Sequence, residues 1–126
     1  MPDYRILVTG SRTWEDEAAI RAELCEEMQR AFMLGMRPVI VHGACPRGAD
    51  AMADRLAREL APAVGVEPHP ADWDRLGKAA GFRRNDEMAR LGAIACLAFI
   101  RDGSRGASHC ADRAQALGIP VRRFTA

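Results

Sequence analysis

The spacing of apolar positions changes along the chain, and each change marks an element. Tyr4-Arg5-Ile6-Leu7-Val8-Thr9 reads as a short strand that ends in the turn Gly10-Ser11-Arg12. From Thr13 the step lengthens: Ile20, Leu24, Met28, Ala31 and Phe32 recur every three or four residues, which is the stripe of a helix. Thr13 with Asp16 three places on resembles a capping box, although Asp is shorter than the usual Glu, and Gly35 ends the helix. Residues 38–42 form a second strand, β-branched and apolar enough to be covered on both faces. It runs into Gly43-Ala44-Cys45-Pro46-Arg47-Gly48-Ala49-Asp50. The helix that follows carries Ala49, Met52, Ala53, Leu56, Ala57 and Leu60 on one face, and Pro62 and Gly65 stop it. Residues 64–69 are a weaker strand that Pro68 and Pro70 confine to an edge. Residues 70–84 are irregular, and a helix covers 85–91, with a start as early as Gly81. Residues 93–100 are the most apolar run and the expected central strand, ending in Arg101-Asp102-Gly103-Ser104-Arg105-Gly106. A helix over 107–117, then Gly118, then a last strand over 120–124 complete the pattern.

Strand and helix alternate throughout, which predicts an α/β domain: a parallel sheet with helices on both faces. Right-handed crossovers leave few topologies, and a Rossmann-like order 3-2-1-4-5 is expected. The 126 residues suit one domain, 1–126, with no linker, repeat or low-complexity segment. An apolar share of 48% against 28% charged excludes a chain disordered by composition, and with only 6% aromatics the core must be mainly aliphatic. Eighteen basic against seventeen acidic residues leave a net charge of +1, so binding of nucleic acid by bulk charge is disfavoured. Lys78 is the only lysine. The arginine excess fits GC-rich coding, and it also fits a planar fork that grips phosphate where an ammonium does not. No apolar run approaches eighteen residues and no signal peptide is read, so a soluble cytoplasmic protein without a membrane partner is expected. Cys25, Cys45, Cys96 and Cys110 form no C-x-x-C and are expected reduced, with Cys25 and Cys96 acting as small hydrophobes.

In open parallel sheets ligands bind beyond the carboxyl ends of the strands, at the point where strand order reverses. Here that point lies between the first and fourth strands, so three glycine-bearing loops should converge there. They supply the candidate phosphate-binding residues: Gly10, Ser11 and Arg12; Gly43, Arg47, Gly48, Ala49 and Asp50; Gly103, Ser104, Arg105 and Gly106. Glycine permits close backbone approach, helix N-termini offer unpaired N–H groups and partial positive charge, and arginine adds bidentate contacts. Neither G-x-G-x-x-G nor G-x-x-x-x-G-K-[ST] occurs: Gly43 to Gly48 has the spacing of the latter, but Ala49-Asp50 follow. Ordinary NAD dehydrogenases and P-loop NTPases are thereby disfavoured. Arg84 and Asn85 fit a phosphate or ribose clamp, or a solvated Arg beside an N-cap Asn. Trp73 fits a base-stacking lid or a plug onto the core. Asp72 and Asp74 fit ribose ligands, a general acid or solvated loop acids, and Lys78 a phosphate ligand or a lone surface charge. His42, Cys45, His109 and Cys110 could approach one zinc ion only if neighbours on a helix pointed the same way, so no metal is expected. Cys45 has no paired base that would make it a nucleophile.

Four blocks carry a resemblance: RILVTGSR (5–12), HGACPRGAD (42–50), GKAAGFRRN (77–85) and FIRDGSRG (99–106). Together they resemble the YspA-type, cpYpsA-related branch of the SLOG superfamily over essentially the whole chain. The resemblance implies a Rossmann-like domain that binds or senses a nucleotide or nucleotide-derived phosphorylated small molecule; no cofactor is required. The related LOG phosphoribohydrolases carry P-G-G-x-G-T-x-x-E, whose glutamate serves catalysis. That position falls here at Ala51 or Met52, so the acid is absent. Asp50, Asp54 and Asp72 remain as candidate acids for an alternative activity, hydrolysis of a nucleotide N-glycosidic bond. A DNA-processing accessory related to DprA/Smf is a third reading, against which the net charge stands. SLOG relatives often dimerise, so a homodimer is expected, through the helix after Asn85 or the helix over 13–34.

Overall fold

In the computed structural model, which describes residues 1–126, the elements run β1 (Asp3–Gly10), α1 (Glu17–Met33), β2 (Arg37–His42), α2 (Ala49–Glu59), β3 (Gly65–Pro68), α3 (Trp73–Leu76), a 3-10 turn (Gly77–Ala79), α4 (Ala80–Arg90), β4 (Ala95–Ile100), α5 (Arg105–Ala116) and β5 (Val121–Thr125). The strands form one sheet in the order β3-β2-β1-β4-β5, with every neighbouring pair parallel. The expected order therefore holds. β1 rather than β4 is the middle strand, but β4 is interior and all of its residues are buried.

Side-chain alternation decides the layers. Ile6 and Val8 of β1 face Ile20 and Leu24 of α1 and Ala53 and Leu56 of α2. Leu7 points the other way, to Met88 of α4 and Cys110 and Ala114 of α5. Covering both faces of a parallel sheet is what its continuous apolar strands require. None of the helices is long and apolar enough to cross a membrane.

The helix ends differ in detail from the expected ones. Asp16, not Thr13, caps α1, accepting the Ala19 N–H at 3.0 Å; Thr13 lies in the turn before it, whose Trp14 ring meets Phe99 edge-on. The end of α1 follows the glycine rule: Gly35 has φ +70° and the Met36 N–H reaches the Ala31 carbonyl at 2.9 Å. Phe32 and Leu60, placed on buried stripes by spacing, sit at the ends of their helices and remain exposed. Cys25 is exposed too, because it is one residue, about 100°, away from the stripe position Leu24. Gly65 opens β3 instead of stopping α2, and α4 begins at Ala80, so Asn85 is a buried interior residue rather than an N-cap.

The short edge strand β3 is held by charge as well as by its ladder. Arg5 of β1 grips Glu67 with two N–H groups at 2.5 and 2.8 Å, and His69 approaches the same carboxylate at 2.6 Å. The Arg5 fork, helped by His69 against a burial penalty, lowers the Glu67 pKa to about 2 from 4.5. A depressed carboxylate pKa stabilises the fold above the unfolded value, and that stability is lost as pH falls through the folded value. Glu67→Gln is therefore expected to melt below wild type at pH 7, with the gap closing as the pH is taken from 4.5 towards 2. Melting curves of both proteins across that range are the check; a gap independent of pH would show that the ion pair contributes nothing.

Candidate functional site

A cavity of about 500 Å³ opens at the carboxyl ends of β1 and β4. That is within the usual range for small-molecule sites. Each of the three glycine-bearing loops reaches it, through Gly10, Ser11 and Arg12, through Gly43, Cys45 and Asp50, and through Ser104 and Gly106. The stretch that sequence left irregular supplies a fourth wall, with Trp73, Lys78, Gly81 and Phe82, and α4 continues it with Arg84, Asn85 and Met88.

The loops are first of all locked to one another. Ser11 is 2% exposed. Its N–H donates to the Phe99 carbonyl at 2.9 Å, and its hydroxyl oxygen accepts the Arg101 N–H at 2.8 Å. Its carbonyl accepts the Ala49 N–H at 3.3 Å. Ser11 thus ties the ends of β1, β4 and α2 together, and neither its N–H nor its hydroxyl is left to present to a phosphate. Gly10 and Gly48 make the close packing possible. A Cβ at Gly10 would collide with Ala49, and one at Gly48 (φ +76°) would lie 2.6 Å from the Arg12 Cα. Gly48 and Ala49 therefore support the first loop from behind and do not line the cavity. Arg47 is exposed and lies off the cavity, as do Gly103 and Arg105.

Arg84 and Asn85 form a brace rather than a free clamp. The Arg84 guanidinium donates to the Gly43 carbonyl, to the His69 carbonyl at 3.4 Å and to Asn85 Oδ1 at 2.8 Å. Asn85 in turn donates to the Gly106 carbonyl at 3.2 Å. The pair joins the ends of β2 and β3 to the start of α5. A Cβ at Gly43 would come within 2.7 Å of the Arg84 Cζ, so the brace needs glycine there. Arg101, which the loop pattern did not single out, closes the rim by donating to the Thr13 carbonyl at 2.7 Å and pairing with Glu15 at 3.0 Å. Its position beside the turn-forming pair Asp102-Gly103 is the only signal that sequence carried, and φ is positive at both residues of that turn.

Three features are left to meet a ligand. Ser104 caps α5 without a side-chain hydrogen bond, so the first N–H groups of this twelve-residue helix face the cavity unpaired, with partial positive charge. Arg12 and Lys78 are exposed cations on the cavity wall without ion pairs; in particular Arg12 is tied to neither Asp50 nor Asp102. The Arg12 guanidinium lies 5.8 Å from the Trp73 ring. Trp73 itself is 48% exposed and stands over Gly81 at the mouth, so it does not plug the core.

The candidate acids separate clearly. Asp50 is 4% exposed and lines the cavity. It is not a cap, since Gly48 holds the N-cap position of α2. Its Oδ2 accepts the Gly43 N–H at 3.1 Å and the Cys45 N–H at 3.4 Å, while Oδ1 has no partner. Burial raises its pKa, against the pull of His42, the Cys45 N–H and Arg84. Asp54 lies off the cavity, bound to His42 Nε2 at 2.8 Å and to Arg58 at 2.7 Å. His42 Nδ1 accepts the Ala44 N–H at 2.9 Å, so its proton sits on Nε2 and points at Asp54. Asp72 caps α3 by accepting the Arg75 N–H at 3.2 Å, also off the cavity, and Asp74 is exposed there. His109 packs edge-on against Phe82, and it does not gather with His42, Cys45 and Cys110.

A family profile described as "YspA, cpYpsA-related SLOG family" matches residues 4–76. The match takes in the blocks at 5–12 and 42–50; those at 77–85 and 99–106 lie beyond it. The chain is similar to a curated relative, "Gene 61 protein" of Mycobacterium phage D29, at 46% identity over 123 residues that cover 95% of each protein. No solved structure matches.

Proposed function

The chain belongs to the YspA, cpYpsA-related SLOG family, and from that premise we propose that its cavity binds a nucleotide or a nucleotide-derived phosphorylated small molecule, as a binding or sensing module. Family membership supports a nucleotide-related role in general terms. The observation that carries the finer reading is the convergence on one cavity of an uncapped helix N-terminus with two unpaired cations, Arg12 and Lys78. A helix N-terminus favours an anion, and phosphate is the anion that an arginine fork fits best. Trp73 at the mouth offers a face for the base. Native mass spectrometry of the purified protein is the direct test: a co-purifying nucleotide mass supports the proposal, and its place is lost if no phosphorylated nucleotide binds at millimolar concentration.

Stacking gives a separate expectation. A base held on an aromatic face contributes about 1–3 kcal/mol. Trp73→Ala is therefore expected to weaken a nucleotide by about fivefold to a hundredfold, and its bare sugar phosphate hardly at all. Titration calorimetry with both ligands is the measurement, and equal losses for the two would remove the base from Trp73.

A second reading is hydrolysis of the N-glycosidic bond, and one observation favours it: Asp50 is a buried cavity carboxyl with a raised pKa. Against it, Ala51 and Met52 stand where LOG enzymes carry their glutamate, and Asp54 and Asp72 are committed elsewhere. General acid–base help contributes about 100- to 10,000-fold. Release of free base from nucleoside 5′-monophosphates at ordinary enzyme rates would establish this second reading; none is expected.

A further inference from the structure

Asp50 is the one side chain in the cavity whose hydrogen-bonding needs are visibly unmet. Two backbone N–H groups, from Gly43 and Cys45, hold Oδ2 and so fix the carboxyl in place. Oδ1 is buried with no partner. A buried acceptor left unpaired is costly, so it calls for a donor. No donor in the protein reaches it: Arg84, braced against the same loop, uses Nε on Asn85 and one Nη on the Gly43 and His69 carbonyls, and none of its N–H groups bonds Oδ1. The direction in which burial moves the Asp50 pKa is that of a carboxyl whose lost hydration has not been replaced.

The position of Asp50 also gives the cavity two different ends. Asp50 is anchored to the loop after β2, whereas the uncapped α5 N-terminus follows β4, and β1 lies between those strands. A phosphate finds unpaired N–H donors at the second end and an unpaired acceptor oxygen at the first. Asp50 therefore leaves the set of phosphate ligands and becomes a receptor for uncharged O–H or N–H donors.

We propose that Asp50 Oδ1 accepts a hydrogen bond from a sugar hydroxyl of the ligand, so that the site selects a ribose with a free 2′,3′-diol and orients it with its phosphate towards α5. The inference rests on the phosphate-binding reading above. A 5′-phosphorylated ribose suits both ends: it carries an anion on one side of the sugar and two O–H donors on the other. In the ionised form of Asp50 the bond is charge-assisted and discriminates more than a neutral one.

The test is titration calorimetry with the four ribonucleoside 5′-monophosphates and their 2′,3′-dideoxy counterparts. Wild type is expected to bind its best ribonucleotide about tenfold to a hundredfold more tightly than the matching dideoxynucleotide. Asp50→Ala is expected to bring that ratio to about one. If the alanine variant fails to fold, Asp50→Asn decides: its amide oxygen can still receive the Gly43 and Cys45 N–H groups, its NH2 then replaces the Oδ1 acceptor, and the ratio is expected to fall to a few-fold. Equal binding of ribo and dideoxy forms by wild type overturns the proposal, since Oδ1 would then be satisfied by solvent. A ribo preference that survives both substitutions overturns it as well, because another group would be reading the diol. Failure of every phosphate probe to bind overturns the phosphate reading beneath it, which is a different result from equal binding of the two series.

Discussion

Arg12→Ala is expected to weaken a bound nucleotide by about tenfold to a hundredfold while leaving the melting curve nearly where it was. The affinity loss follows from the worth of a charged hydrogen bond, about 1.5–3 kcal/mol. The small stability effect follows from what Arg12 touches. Its side chain is exposed and has no carboxylate partner, and its guanidinium rests only on the Trp73 ring. An exposed cation–π contact contributes about 0.5–1 kcal/mol. Arg12→Lys should recover part of the affinity, because it keeps the charge and loses the fork. Calorimetric affinity and a melting curve on the same preparations separate the outcomes. A clear drop in melting temperature, with affinity restored at ligand saturation, would make Arg12 a strut of the loop. Unchanged affinity in a folded variant would take Arg12 out of the site, and with it most of the argument for a phosphate on this wall.

Gly48→Ala is expected to be the most damaging single methyl in the protein. The backbone there has φ +76° and ψ −148°, close to a region that essentially only glycine adopts, which costs another residue about 1–3 kcal/mol. The added Cβ would also lie 2.6 Å from Arg12 Cα and Arg12 C, and backbone cannot rotate away as a side-chain end can. Overpacking typically adds about 1–3 kcal/mol. The two together should lower the melting temperature by roughly 10 °C in a domain of this size. The displaced atoms belong to Ser11 and Arg12, so nucleotide affinity should fall with stability, in contrast to Arg12→Ala. Gly106→Ala, at a position where a Cβ meets nothing, is the control and should melt like wild type. A Gly48→Ala protein with wild-type melting would mean that the loops 10–12 and 43–48 are not packed as described.

Much of the architecture was legible in the residues. The change of step from two to three or four, the β-branched run at 38–42, the unbroken apolar run at 93–100 and the glycines at 35 and 118 are all local signals. Local signals determine local structure, so elements, parallel sheet, strand order and even the edge position of β3 could be read from them. The convergence of three loops at one end of the sheet followed from topology alone. What sequence could not settle was which residues in those loops face inward. Ser11, Arg84 and Asn85 carry the chemistry of ligands, yet each uses it to tie one loop to another. Arg12 and Lys78 carry similar chemistry and are left unpaired. Nothing in the spacing separates the two groups, because a hydrogen bond between residues ninety positions apart, as from Arg101 to Ser11, leaves no periodic trace. Asp50 makes the same point: an N-cap, a catalytic acid and a buried acceptor all fit Gly-Ala-Asp at a helix start. Burial of its side chain, with two backbone N–H groups taking one oxygen and none reaching the other, is a property of the assembled loops, and only there does the residue acquire its unmet bond.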